Sequence, residues 1–461
     1  MTHSGWLLAG LLWGGAAIGA DLLAVYQRAL QNDPQVREAE ANRLAARESK
    51  PQALSALLPH LSGSAAGSRE RDVGPDNETE NVTVGNAAPV VEAFPFDGHT
   101  DTHMYKYGLD LRQNVFRWEN WIALQRADAQ VAQAEADYQA AQQDLISRVA
   151  QRYFDILAAQ DDLDAQESAL ESVTRQLEQA ESRYQVGLIA ITDVQEARAA
   201  HDSSAADVIA AKRQLASSRE LLREITGDLF DSLARPVEPF ELADPNPVSE
   251  DRWVEMALQQ NMLLVSSRLA ADIARDNVSA ARGGHFPSLD LVASGYRVNT
   301  DATSITTDGS LYGTQNLDQS QRTIGLQLTF PLYSGGMVSS QVRQAVYLHR
   351  AAQERLERVA RQTEHDARDA YLGVISEINR VKALRRAVES NTTALSATQA
   401  GYEAGTRTAV DVLESRRRWI QAKTDYARSR YDYMMNVLRL QEAAGILSEQ
   451  SLSSLNTQLK E

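Results

Sequence analysis

A chain of 461 residues with a formal charge of −16 and no cysteine excludes several classes of protein at once. Disulfides, thiolate metal sites and cysteine nucleophiles are unavailable, and the acidic balance argues against a non-specific nucleic-acid binder, whose phosphate contacts need a basic face. Aromatics are few, alanine and glutamine are plentiful, and long stretches hold neither Gly nor Pro, which is the bias of long packed helices.

Residues 1–20 read as an export signal. Trp6 to Ala20 is an uncharged run of apolar and small residues ending in Ala17-Ile18-Gly19-Ala20 before Asp21, with the length of a signal core rather than of a spanning helix. His3 stands in its n-region in place of Lys or Arg, and Ile18 at the −3 position. No later stretch offers eighteen consecutive apolar residues, so no membrane helix is expected after it.

Residues 21–227 form a first repeat: a helix, strands at about 57–68 and 104–116, a long helix over 118–184 and a helix over 192–226. In the strands, Tyr105, Tyr107, Leu109 and Leu111 alternate with Lys106, Gly108, Asp110 and Arg112, and Leu57 to Ala65 alternate more weakly. From Trp118 to Tyr184 no Gly or Pro intervenes, enough for a helix of about 100 Å. Leu145, Val149, Tyr153, Ile156, Leu163 and Leu170 make one apolar stripe on it, and Ile146, Phe154 and Leu157 a second. Two seams let a helix pack on both sides, as a closed ring of helices requires.

A linker at 228–250, with Pro236, Pro239, Pro245 and Pro247, leads to a second repeat at 251–445. It has a helix, strands at about 286–298 and 321–333, a long helix over 338–402 and a helix over 408–444; residues 446–461 are a tail. Leu289, Leu291 and Ala293 alternate with Ser288, Asp290 and Ser294, and Ile324 to Leu332 alternate with Thr323, Gly325, Gln327 and Thr329. Each strand is about ten residues, the length of a tilted strand through an outer membrane, with tyrosines near the run ends where interfacial aromatics belong. A soluble sheet with one buried face alternates in the same way. The export signal and the polar stretches Glu70–Thr102 and Asn299–Gln319, read as surface loops, tip the balance to a barrel. Four strands cannot close one, because an open edge in lipid leaves backbone groups unpaired; three copies would supply twelve.

The two halves are one pattern at a spacing of 218 residues: Tyr184-x-x-Gly187-x₅-Asp193-Val194 recurs as Tyr402-x-x-Gly405-x₅-Asp411-Val412. Gly187 and Gly405 stand where a left-handed residue stops a helix. Thr192 with Gln195, and Thr408 with Asp411, have capping-box spacing for restarting one. Asp411 and Glu414, at i, i+3, share a helix face; in a symmetric oligomer they become rings of carboxylates, which select cations, although a solvated face has the same spacing.

No catalytic constellation assembles: the eight histidines are scattered and no Walker-type glycine loop occurs. Asp97-x-His99-x-Asp101-x-His103 has the donors for a transition metal but is read as part of a surface loop, and Gly283-Gly284 as a helix-to-strand corner. No cofactor is expected. The rival to a conduit is a periplasmic adaptor, which also combines an export signal, an α-hairpin and β-structure.

Val186-Gly187-Leu188-Ile189-Ala190-Ile191-Thr192-Asp193-Val194-Gln195, Gly405-Thr406-Arg407-Thr408-Ala409-Val410-Asp411-Val412-Leu413 and Phe330-Pro331-Leu332-Tyr333-Ser334-Gly335-Gly336-Met337-Val338 resemble the TolC family of outer-membrane channel-tunnels. The resemblance implies a mainly α protein with a membrane β-barrel. It would be a homotrimer in the outer membrane of a Gram-negative bacterium, with a twelve-stranded barrel and a long periplasmic α-helical tunnel. It also implies service to efflux or type I secretion through a periplasmic adaptor and an inner-membrane pump of RND or ABC type. By matching position, Tyr402 and Arg407 would latch the second tip to Asp193 and Thr192 of the first, with Gln176 nearby. Asp411 and Glu414 would form the acidic pore rings, Glu414 standing where the family pattern has Asp. Arg416-Arg417-Arg418 follow directly and are read as solvated or adaptor-facing charges.

Overall fold

The computed structural model describes residues 20–82, 90–237 and 240–460; residues 1–19, on which the expected export signal falls, lie outside the described residues. Two compact units form. Among the described residues, one comprises those up to Ala46, with 132–271 and 352–460; the other comprises those within Arg47–Val131 and Asp272–Ala351. These units cut across the sequence repeat, since each draws on both halves.

In the first unit, α1 (Leu22–Asn32) starts at Asp21, whose carboxylate accepts from the Ala24 N–H at 2.7 Å. It buries Leu22, Val25, Tyr26 and Ala29. The short helix α2 (Pro34–Arg47) follows. The long helix α4 (Trp118–Gln185) buries members of both expected stripes: Leu145, Val149, Tyr153, Ile156 and Leu163 from one, and Ile146, Phe154 and Leu157 from the other. Each such side chain contributes about 1.5–3 kcal/mol. Tyr153 packs edge-on against Phe154, which stacks on Tyr431 of α9 (Ala409–Ala443). The Tyr153 hydroxyl donates to Ala234 O at 2.8 Å, fixing part of the inter-repeat segment. That segment also forms β3 (Arg235–Pro236), which pairs antiparallel with β6 (Leu459–Lys460) near the C-terminus. Completing the unit are α5 (Ile191–Thr226), α6 (Glu250–Gln260), most of α8 (Met337–Glu403) and α10 (Glu449–Asn456). The helix α7 (Met262–Gly283) passes from it into the second unit.

The second unit, which also holds α3 (Ser49–Ser55), is built on one antiparallel sheet. Its order is β1-β2-β4-β5, with β1 His60–Val82, β2 Val90–Phe116, β4 Ser288–Thr306 and β5 Leu311–Thr329. At the corner before β4, a Cβ on Gly283 would stand 2.9 Å from the Trp118 ring, so the helix end can approach only without a side chain there. One face of the sheet carries the row Leu61–Leu111–Ala293–Ile324, flanked by Leu109, Leu291 and Leu326. These are not core residues, for Ile324 is 78% exposed. The other face carries Ser62–Asp110–Ser294–Thr323, Tyr296 and Gln321, and the Arg112–Asp290 ion pair at 2.7 Å.

The strands differ from expectation in length. Glu70–Thr102 and Asn299–Gln319 are mostly strand, not loop, since pairing runs without a break from His60↔Arg112 to Val82↔Val90 and β4 continues to Thr306. The reason lies in the side chains. Above Tyr105 and Tyr107 the apolar face turns charged, with Arg69, Arg71, Asp101, His103, Asp301 and Asp318 along it. Alternation therefore vanishes from the sequence while the backbone ladder persists. Asp97, His99, Asp101 and His103 thus lie on β2, and Arg71 engages both carboxylate oxygens of Asp101 at 2.6 Å.

Asp33 is buried between α1 and α2, accepting from the Val36 N–H at 2.9 Å and from Arg148 at 2.8 Å. Burial pushes its carboxyl up. The Arg148 guanidinium and the Val36 and Gln35 N–H groups outweigh this and hold it below its ordinary 3.8. Arg148 keeps Asp144 at 2.6 Å if Asp33 is lost, so Asp33→Asn should cost about 3 kcal/mol, the lower end for a broken buried pair, read as a fall in the urea midpoint. Because the folded value is depressed, the wild-type contribution is present above pH 3.8 and fades as pH falls through the lowered value.

Candidate functional site: the two helix-turn-helix tips

Both tips lie in the helical unit. The helix α4 stops when Gly187 takes φ 74°, with the Leu188 N–H donating to Arg183 O at 2.9 Å. At the end of α8, Gly405 also takes φ 74°, with the Thr406 N–H donating to Gly401 O at 2.8 Å. These six-to-one bonds are Schellman closures. Nothing lies within 4 Å of a Cβ built on either glycine, so backbone conformation rather than space demands glycine there.

The restarts differ. At the second tip Thr408 caps α9: its hydroxyl accepts from the Asp411 N–H at 3.2 Å, and Asp411 Oδ2 accepts from the Thr408 N–H and hydroxyl, both at 2.9 Å. The Thr408 N–H first and its hydroxyl second hold the Asp411 carboxyl below its ordinary value, and Arg407 adds a smaller push the same way. At the first tip the expected Thr192–Gln195 box is not made. The helix α5 begins one residue earlier, so the cap position falls on Ala190, which has no side chain to offer. Thr192 and Asp193 are exposed in the first turn, while Val194, like Val412 of the second tip, is buried.

Tyr402 is engaged by Arg183 of α4, whose guanidinium lies 5.7 Å from its ring centre and donates to its hydroxyl at 3.5 Å. The exposed Arg407 lies over Gly401, where a Cβ would meet its Cγ at 2.8 Å. Gln176 is half-buried on α4. Among the described residues, no hydrogen bond or ion pair within the chain joins Tyr402 or Arg407 to Asp193, Thr192 or Gln176. Glu414 accepts from Arg418 Nε at 3.2 Å and faces Arg417 at 3.6 Å.

Three further residues belong to the site. Arg183 occupies the position that repeats as Gly401, so the duplication hides it. Arg198 and Arg416 do share the repeat offset: Arg198 pairs with Glu181 at 2.8 Å, and Arg416 donates to Ser172 of α4. Burial chiefly, with Arg175 beside it, lowers Arg416 from its ordinary value.

The family described as "Outer membrane efflux protein" matches residues 25–228 and again 253–446. The outer membrane protein TolC of Vibrio cholerae serotype O1 is 36% identical over 447 residues, 96% of this chain and 95% of that one. TolC of Escherichia coli K12 is 36% identical over 442 residues, 95% of this chain and 85% of that one. Among solved structures, the CmeC outer membrane channel of Campylobacter jejuni superimposes with a TM-score of 0.74 at 19% identity, covering 99% of this chain and 96% of that one.

An added cap should tighten the first tip. Ala190→Ser is expected to stabilise the start of α5 by about 1 kcal/mol, seen as slower amide exchange over Thr192–Gln195. Thr408→Ala should speed exchange over the first turn of α9, and equal rates at both tips in the unmodified chain would contradict this difference.

Proposed function

The chain belongs to the outer membrane efflux protein family and is an outer-membrane protein; on that premise we propose that it is the exit duct of tripartite efflux or type I secretion systems. The observation that carries the reading is the sheet. Its exposed apolar band faces one way and its polar, ion-paired surface the other, and β1 and β5 are left as open edges. In lipid those edges must find partners, and three copies pooling four strands each would close a twelve-stranded barrel with water inside.

The helical unit supports a tunnel, because α4 buries both of its stripes. Transport through it is passive; the chain supplies a path and a gate. A periplasmic adaptor and an inner-membrane pump of RND or ABC type would recruit it and choose the cargo. We place the gate at the tips. Tyr402 and Arg407 would meet Asp193 and Thr192, with Gln176 beside them, when neighbouring copies assemble. The Asp193 carboxylate suits this role because Ala190 gives it no capping partner to hold it, unlike Asp411. Arg407 suits it because it is exposed and carries several donors in a fixed fork. Asp411 and Glu414 would line the conduit just beyond the turn.

Single-channel recording in planar bilayers tests this reading. The unmodified protein should give small openings that grow several-fold in Arg407→Ser and Tyr402→Phe. Conductance unchanged by either substitution would move the gate elsewhere. No conductance from folded protein would remove the duct.

A further inference from the structure

Of the three arginines that follow Glu414, one turns inward and two stay out. Arg416 turns inward to Ser172 on α4. Arg417 and Arg418 stay out, with side chains 83% and 68% exposed, and both reach back to the Glu414 carboxylate, at 3.6 and 3.2 Å. Asp411, Glu414 and Arg418 follow one another at i, i+3 and i+7, so they lie along one helix face. At 1.5 Å per residue that face spans only about 10 Å of helix axis.

We propose that Arg418, assisted by Arg417, weakens the cation preference of the tip by offsetting the negative charge of the Asp411–Glu414 face, chiefly at the Glu414 carboxylate. The inference rests on the placing of Asp411 and Glu414 in the conduit made above. An exposed pair of this kind adds little to stability, so its consequence is electrostatic. Guanidinium and carboxylate sit closer together than the screening length of about 8 Å at physiological salt, and a passing ion meets them as a neutral group. The formal charges of Asp411, Glu414, Arg417 and Arg418 sum to zero in each copy. Asp411 is separate, since its carboxylate is held by Thr408.

The first repeat serves as an internal control. Glu196 corresponds to Glu414, but the positions of Arg417 and Arg418 are Ala199 and Ala200, and Arg198 is drawn off to Glu181. The two outward arginines are therefore peculiar to the half that carries the Asp411–Glu414 face, and the helical hairpin forms without them.

Reversal potentials across a KCl gradient test the proposal in the full-length protein and in Arg418→Gln, Arg417→Gln/Arg418→Gln and Glu414→Gln. The unmodified channel should be weakly cation-selective. Arg418→Gln should raise the potassium-to-chloride permeability ratio roughly three- to seventyfold, the range with and without screening for three unmasked charges about 10 Å from ions they attract or repel equally, and the double substitution should raise it further. Glu414→Gln should move the ratio towards chloride, and all these shifts should shrink in 1 M KCl. Strong cation selectivity in the unmodified channel that neither arginine substitution changes would overturn the proposal. Absence of current in every variant would overturn the duct reading and this inference with it.

Discussion

A strand edge cannot be left open in hydrocarbon. Each unpaired N–H and C=O there costs several kcal/mol, and this sheet has two edges, β1 and β5, beside an apolar band exposed on its outer face. Among the described residues the order β1-β2-β4-β5 uses every long strand, so no further strand of this chain is at hand to cover them. Assembly with further copies is the remaining route. The same assembly would ring the helices and turn single tip residues into repeated ones, so the proposed gate, ring and barrel would all depend on how one pair of edges is satisfied.

Duplication supplies two similar hairpins, and their differences are more informative than their likeness. Both end a long helix on a left-handed glycine and bury the valine of an Asp-Val pair. They then diverge: Ala190 opposite Thr408, Arg183 opposite Gly401, and Ala199-Ala200 opposite Arg417-Arg418. One tip is uncapped, with an exposed aspartate in its first turn. The other is capped and carries its own counter-charges. A symmetric object built from such a chain presents two kinds of tip in alternation, which is what a latch between unlike partners requires.

Much of this was legible in the residues. The Gly- and Pro-free run from Trp118 and its two stripes announced α4 and its burial on two sides, because helix periodicity is written directly in apolar spacing. The part of each strand with one apolar face was legible for the same reason. The upper parts of the strands were not. Once both faces meet water, as from Arg69 to Asp72 opposite Thr100 to His103, only backbone hydrogen bonds define the strand, and these leave no pattern in side-chain type. The first cap was misplaced because Thr192 looked like a cap by type, whereas the chain begins α5 at Ile191, next to the turn. Spacing shows that Asp411 and Glu414 share a face, but not that Arg417 and Arg418 reach back to the Glu414 carboxylate.

The mass of the detergent-extracted protein, measured by native mass spectrometry with the detergent stripped in the gas phase, bears most directly on the edge argument. Three copies per particle are expected, surviving dilution because the strand edges are shared. A stable folded monomer would mean that β1 and β5 are satisfied in some other way, and the closed barrel, the tunnel and the ringed tips would all fall with it.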